Sequence, residues 1–283
     1  MDSHVHLYHQ DDLIPALDAT VACHNALHQK NGAGASAAVV LVLAEPSERN
    51  TFARLRRQLE SDTPATLSSR WQLHPTAENI SLVAKHIEGA ETFLIGGQQI
   101  VTSEQLEVLS IATEQSIADR LPLATTLAAV EKAGGFAILP WGVGKWFFER
   151  GDLICKLIRA NAHAAKAPFA LGDNGGRPRF WEWVTQFDMA KAYDIPIISG
   201  SDPLPVSGPR RGAASYGTLL SCHFDRARPA ASLLTAITER ACEAKPFGTL
   251  ARPTDFMQEQ LALRLRRCRS TVNKDAVQIC EEI

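Results

Sequence analysis

Eight consecutive apolar residues, Ala37-Ala38-Val39-Val40-Leu41-Val42-Leu43-Ala44, constrain the fold of this chain more than any other feature. The run is rich in β-branched residues and shows no polar alternation. It therefore reads as a strand covered on both faces, as in the middle of a parallel sheet or barrel. Glu45-Pro46-Ser47 ends it and opens a helix over 48–60. The rest of the chain keeps this alternation. A first strand reads His4-Val5-His6-Leu7-Tyr8, and helical spacing follows over 11–30. Residues 70–90 predict a short strand and a helix. Segments 92–94 and 98–101 flank Gly96-Gly97 like a hairpin, and 106–111 is the next strand. A helix over 123–132 stops at Gly134-Gly135. Strands at 136–139, 169–171 and 195–199 alternate with helices at 151–163 and 180–193, and helices at 229–244 and 254–267 close the chain. The tail after residue 268 is polar and expected to fray.

Repeated β–α units of this length predict a parallel α/β barrel or doubly wound sheet, in one domain over 1–283. The 283 residues, 45% of them hydrophobic, are enough to bury a sizeable core. In a barrel, chemistry gathers at the carboxyl ends of the strands, so the polar residues there are the informative ones.

The formal net charge is -2 with 21% charged residues, which gives no electrostatic reason to expect nucleic acid or an anionic membrane as partner. A small, anionic substrate stays open, because a basic pocket can sit inside a neutral total. The six cysteines (Cys23, Cys155, Cys222, Cys242, Cys268 and Cys280) form no CxxC pair and sit beside no histidine cluster. They read as reduced thiols, not a zinc-finger frame. With no signal-like N-terminal pattern and no run of 18 apolar residues, the expectation is a cytoplasmic protein that does not span a membrane.

Asp2-Ser3-His4-Val5-His6 is the sharpest local signal. Residues i and i+2 of a strand face the same way, so His4 and His6 can aim two imidazoles at one divalent metal. The bland alternative is a pair of polar histidines with local hydrogen-bond partners. The apolar strand Ile197-Ile198-Ser199-Gly200-Ser201-Asp202 ends in an aspartate, which can add a hard oxygen ligand or act as base. Its bland alternative is a turn opener before Pro203.

The order DxHxH at the first strand and GSD at the last resembles the PHP (polymerase and histidinol phosphatase) family, within the wider amidohydrolase-like hydrolases, over residues 2–205. The resemblance implies a distorted seven-stranded TIM-like (β/α)7 barrel and metal-dependent phosphoester hydrolysis. Two positions match the family's ligands directly, His4 and His6, and Asp202 matches its last aspartate. Gln99 stands where a glutamate ligand is usual, Glu107 where a histidine is usual, Leu139 where a histidine precedes Pro140, and Leu204 where the last histidine would be. Asp173 falls near an acidic or cysteine ligand. The resemblance so leaves at most His4, His6, Glu107, Asp173 and Asp202 as ligands, enough for one zinc or manganese ion and too few for three.

Three loops at strand ends offer substrate contacts. In Pro140–Trp146 the expected wall is Trp141 and Trp146, with Lys145 as a cation, against a packed loop as the alternative. Arg177, after Gly172-Asp173-Asn174, is a candidate anion clamp, and Arg211 another. His74 is a minor candidate at a strand end. The leading expectation is a metal-dependent phosphoesterase with Asp202 or Asp173 as base. A degenerate barrel that binds a ligand or protein is the rival, and an amidohydrolase-type deaminase or lactonase a weaker third.

Overall fold

The computed structural model describes residues 1–31, 37–46, 48–59, 63–204, 212–240 and 242–264. The apolar run forms β2 (Val39–Glu45), buried at every position. On one side it pairs in parallel with β1 (Asp2–Val5), to which α1 (Leu13–Asn31) connects it. On the other it pairs in parallel with β6 (Glu91–Val101), in register from Val39 opposite Thr92 to Glu45 opposite Gln98. Between them lie α2 (Thr51–Arg57), β3 (Ala65–Thr66), β4 (Trp71–Pro75) and β5 (Ser81–His86). Then come β7 (Glu107–Ile111), α3 (Leu123–Lys132), β8 (Phe136–Pro140), α4 (Glu149–Ala160), β9 (Ala170–Asn174), α5 (Thr185–Ala192) and β10 (Ile197–Gly200). The described chain ends with β11 (Tyr216–Leu220), α6 (Pro229–Thr238), β12 (Ala244–Gly248) and a helix over 253–264.

These strands form one 12-stranded mixed sheet, and this corrects the expected (β/α)7 barrel. The ladder runs from β12 to β3 without closing on itself, and β1 has a strand ladder with β2 alone. Among the described strands, four ladders are parallel: β1–β2, β2–β6, β8–β9 and β9–β10. From β3 to β7 the links are too short for a crossover helix, so successive strands there must run antiparallel. The segment read as strand and helix over 70–90 is accordingly the β4–β5 hairpin, with Trp71 opposite His86. Gly96-Gly97 is no turn: both lie inside β6. A Cβ on Gly96 would come within 2.8 Å of the Ile80 side chain and 2.9 Å of Phe52, so glycine there lets α2 and the β5 lead-in close onto the strand. Strands β11 and β12, beyond the last strand expected, extend the sheet at its other end. The tail after 268 lies outside the described residues.

The core follows the layers. One apolar cluster centres on Val40, Val42, Phe93, Ile95 and Ile138; a second packs α3, α4 and α5 over β7–β9; a third packs α1 and α2 over β1 and β2. No described helix is long and apolar enough to cross a membrane.

The site depends on the approach of β10 to β1. The Asp202 amide donates to the His4 carbonyl at 2.8 Å, and the Thr218 amide to the Met1 carbonyl at 2.8 Å. Gly200 makes this approach possible, because a Cβ there would lie 2.6 Å from His4 Cβ and 2.7 Å from the His4 backbone nitrogen. Backbone cannot yield as a flexible side chain can. Gly200→Ala should therefore lower stability by about 1–3 kcal/mol, as overpacking does. Urea unfolding followed by circular dichroism measures it; an unchanged midpoint would show that the two strands can part without cost.

Candidate metal centre

The pleat of β1 carries Val5 into the core and leaves His4 and His6 on the other face. Their Nε2 atoms lie 2.9 Å apart. Asp202 Oδ1 lies 3.5 Å from His6 Nε2 and 3.8 Å from His4 Nε2. A triangle with these edges has its three corners about 2 Å from a common centre, the length of a metal–imidazole or metal–carboxylate bond. Among the described residues this is the one group of three or more metal-ligating side chains that converges in this way.

A second carboxyl group builds the triad from beneath. Asp2, buried within β1, accepts from the Ser201 amide (2.8 Å) and the His4 amide (3.2 Å) through Oδ1, and from the Ser201 hydroxyl (2.5 Å) and the Ala214 amide (2.8 Å) through Oδ2. Burial pushes its pKa up, and the donors from Ser201, Ala214 and His4 oppose that. The clamp fixes the loop after β10. Asp202 there has φ 47, a conformation that an aspartate tolerates better than most residues. Its Oδ2 accepts from the Asn174 amide at 2.5 Å, which turns Oδ1 toward the histidines.

The electrostatics suit ligation. Burial, reinforced by His4, pushes the His6 pKa down from 6.5 to about 4, so its imidazole is neutral at physiological pH. The His6 ring also hydrogen-bonds the Ala44 backbone carbonyl, a partner of the kind that orients a metal-binding imidazole. At Asp202, burial disfavours the charge, but His4, His6 and the Asn174 amide outweigh it. Its pKa lies below the usual carboxylate value, and it stays ionised.

The triad opens into a cavity of about 330 Å³. Gln99, Arg49, Lys145, Glu107, Tyr8 and Leu204 are among its lining residues. Gln99 Oε1 is buried with no hydrogen-bond partner. An orphaned carbonyl oxygen on a residue lining the same cavity as two imidazoles and a carboxylate is what a hard or borderline cation would satisfy. The residues present therefore fit one divalent metal.

Other expected site residues are placed differently. Glu107 lines the cavity, but its carboxylate pairs with Lys145 and stands outside the triad. Asp173 is not at the centre. It holds Arg177 through two bonds of 2.7 and 2.9 Å and accepts from the Tyr216 hydroxyl at 2.7 Å. Arg177, also bonded to the Trp181 carbonyl, is thus an internal ion-pair partner and no substrate clamp. Adjacent strand residues face opposite ways, so Asn174 reaches Asp202 while Asp173 cannot. Trp141 and Trp146 are buried, packed edge-on against Trp181 and Phe187, as the packed-loop alternative has it. Lys145 does reach the cavity. His74 sits in the β4–β5 hairpin and does not line it. Arg211 lies outside the described residues. Asp2, Asn174 and Arg49 went unassigned in the sequence. For Asp2 the signal was there, two residues before His4.

The fold and site together define a mixed α/β protein with a two-histidine, one-aspartate centre at the junction of its first and tenth strands. Comparison with protein-family profiles gives no match, and comparison with curated proteins gives none. Among solved structures, the chain is similar to PsfC from Pseudomonas syringae PB-5123, with a TM-score of 0.54 and 13% identity over 92% of this chain and 95% of that one. At that identity the likeness is one of fold.

The lowered His6 pKa sets a pH dependence for the metal-free protein. Between pH 6.5 and about 4 the unfolded chain takes up a proton that folded His6 refuses. The unfolded state binds more protons, so stability falls as pH drops through that window. The His6→Gln variant, lacking the group, should show a shallower fall in melting temperature over the same range. Identical slopes would assign the acid sensitivity to other groups.

Proposed function

We propose that this chain is a metal-dependent hydrolase acting on a small anionic substrate, with a phosphoester as the leading class. The convergence of His4 Nε2, His6 Nε2 and Asp202 Oδ1 carries the reading. Two imidazoles and one carboxylate suit zinc or manganese, and three protein ligands leave room for water or substrate. A divalent cation held there would supply Lewis acidity and lower the pKa of a coordinated water.

The chain's own groups divide the remaining work. His4 and His6 offer imidazole nitrogen donors. Asp202 offers one ionised oxygen and is held in place by Asn174. Its lowered pKa makes it a better ligand than base. Gln99 lines the same cavity, and its amide oxygen has no hydrogen-bond partner. Lys145 and Arg49 line the cavity and favour an anionic group, with Lys145 steadied by Glu107. Glu107, paired with Lys145, is a carboxylate that lines the cavity, whereas Asp173 is committed to Arg177 and Tyr216 away from it. A cytoplasmic setting belongs to the same proposal and rests on the cysteine spacing of the sequence, which forms no CxxC pair.

Metal content tests the reading first. Protein purified without chelator should carry about one equivalent of a transition metal by mass spectrometry, and a His4→Ala/His6→Ala variant should carry none. Absence of metal after incubation with zinc or manganese would overturn the hydrolase and favour a ligand-binding protein. Asp202→Asn should lower phosphoester turnover by about 100-fold or more while shifting the melting temperature little, because the asparagine keeps an oxygen for Asn174. Full activity in that variant would remove Asp202 from the mechanism.

A further inference from the structure

Cys222 stands just after β11 and Cys242 just before β12, with α6 between them. The two strands are antiparallel neighbours, and their register pairs Tyr216 with Gly248 and, at the far end, Leu220 with Ala244. The same register continues past the strand ends. The Ser221 amide donates to the Glu243 carbonyl at 3.4 Å, so Ser221 stands opposite Glu243. One step further, Cys222 stands opposite Cys242.

Antiparallel ladders alternate between pairs that exchange backbone hydrogen bonds and pairs that do not. Ser221 and Glu243 are of the first kind. Cys222 and Cys242 are then of the second, whose Cα atoms lie about 4.5 Å apart with the side chains closer. That separation falls within the range of about 4.4–6.8 Å that a disulfide spans. The side chains agree with the register, because the two thiols hydrogen-bond each other. Burial, reinforced by Cys222, pushes the Cys242 pKa up to about 11, so Cys242 keeps its proton in the dithiol. Both residues are half-buried, and Cys222 lines a cavity of about 420 Å³ beside Phe224 and Lys245, which gives a small reagent a way to its sulfur.

We propose that Cys222 and Cys242 form a thiol–disulfide site, oxidised in place by a low-molecular-weight disulfide, which pins the edge strand β12 to β11. The Cys222 thiolate attacks one sulfur of the external disulfide and expels the other as a thiolate. Cys242 then gives its proton to water, and its sulfur attacks the Cys222 sulfur of the mixed disulfide, expelling the second thiolate. Two protein thiols are oxidised, one external disulfide is reduced to two thiols, and the two protein protons end on them. Cys222 attacks first because it faces the cavity while Cys242 holds its proton. The mixed disulfide removes the Cys222 charge and hydrogen bond that help Cys242 keep that proton, which favours the second step. None of this depends on the hydrolase reading.

The test treats reduced wild-type protein with oxidised glutathione, blocks the remaining thiols and maps tryptic peptides by mass spectrometry without reduction. Arg226 and Arg240 lie between the two cysteines, so cleavage leaves them on separate peptides unless a disulfide joins them. The Cys222–Cys242 linkage should form with no lasting glutathione adduct on either residue. Cys242→Ser should stop at a stable adduct on Cys222, and Cys23→Ser should still form the linkage, although Cys23 lines the same cavity. Oxidation should raise the melting temperature by about 3 °C or more, and dithiothreitol should reverse the rise. A lasting adduct on wild-type Cys222, no reaction, or Cys222 joined to Cys23, Cys268 or Cys280 would overturn the site. A Cys222–Cys242 bond that leaves the melting temperature unchanged or lower would show that the strands must shift to form it, against a pair already placed by the register.

Discussion

The buried Asp2 carboxyl group is the constraint on which the candidate site depends. It ties together three parts of the chain far apart in sequence: β1, the loop after β10, and the lead-in to β11. Hydrogen bonds to a charged acceptor contribute about 1.5–3 kcal/mol each, and a donor left unmet in the interior costs a comparable amount. Such a clamp is therefore more a device of position than of net stability. It costs desolvation, visible in the raised pKa of Asp2, and it returns a fixed relation between His4 and Asp202. Gly200 supplies the steric half of the same device. The hydrogen bonds pull the strand end inward, and the missing side chain gives it somewhere to go.

Much of the site was legible in the sequence, because its parts follow from strand geometry alone. His4 and His6 share a face by the period of two, and Asp202 closely follows a strand that opens on the apolar pair Ile197-Ile198. What the sequence could not supply was the choice between adjacent residues. Asp173 and Asn174 stand together at the end of β9, and chemistry favours the aspartate as ligand. The pleat sends Asp173 to Arg177 and Tyr216, and it sends Asn174 to the centre. One residue of register separates a ligand from an ion-pair partner, and turn-rich loops such as Gly172–Gly176 do not declare their register. The tryptophans misled for a related reason. A loop beside a strand end can face the mouth or the helix layer, and Trp141 and Trp146 found better burial against α5 and Trp181.

The fold itself was harder to read. Alternating strands and helical patterns predict parallel units, and β1–α1–β2 and β8–α4–β9–α5–β10 obey that. Between β3 and β7 the chain instead folds back on itself through short links, and β8 pairs antiparallel with β7 even though α3 lies between them. Gly96-Gly97 looked like the turn of a hairpin because glycine pairs usually mark turns. Here Gly96 thins an 11-residue strand so that Phe52 and Ile80 can lie over it, and Gly97 leaves room for the Ser110 carbonyl and the Val42 side chain. Packing demand and turn chemistry call for the same residue, and only the neighbours, distant in sequence, tell them apart.

The charges around the triad bear on how many ions it can hold. Each further divalent cation would need carboxylates to offset its repulsion for the first. Asp202 is the one ionised oxygen donor in the cluster. Glu107, close by, has its charge balanced by Lys145, and Gln99 is neutral. One dication facing one carboxylate keeps a net positive charge, and Arg49 adds to it at the cavity wall. That surplus suits a single ion with an anionic substrate completing the balance. Where a second metal would need an acidic ligand, Gln99 offers only a dipole, and on the proposed hydrolase reading an anionic substrate would take the role that a further carboxylate otherwise fills.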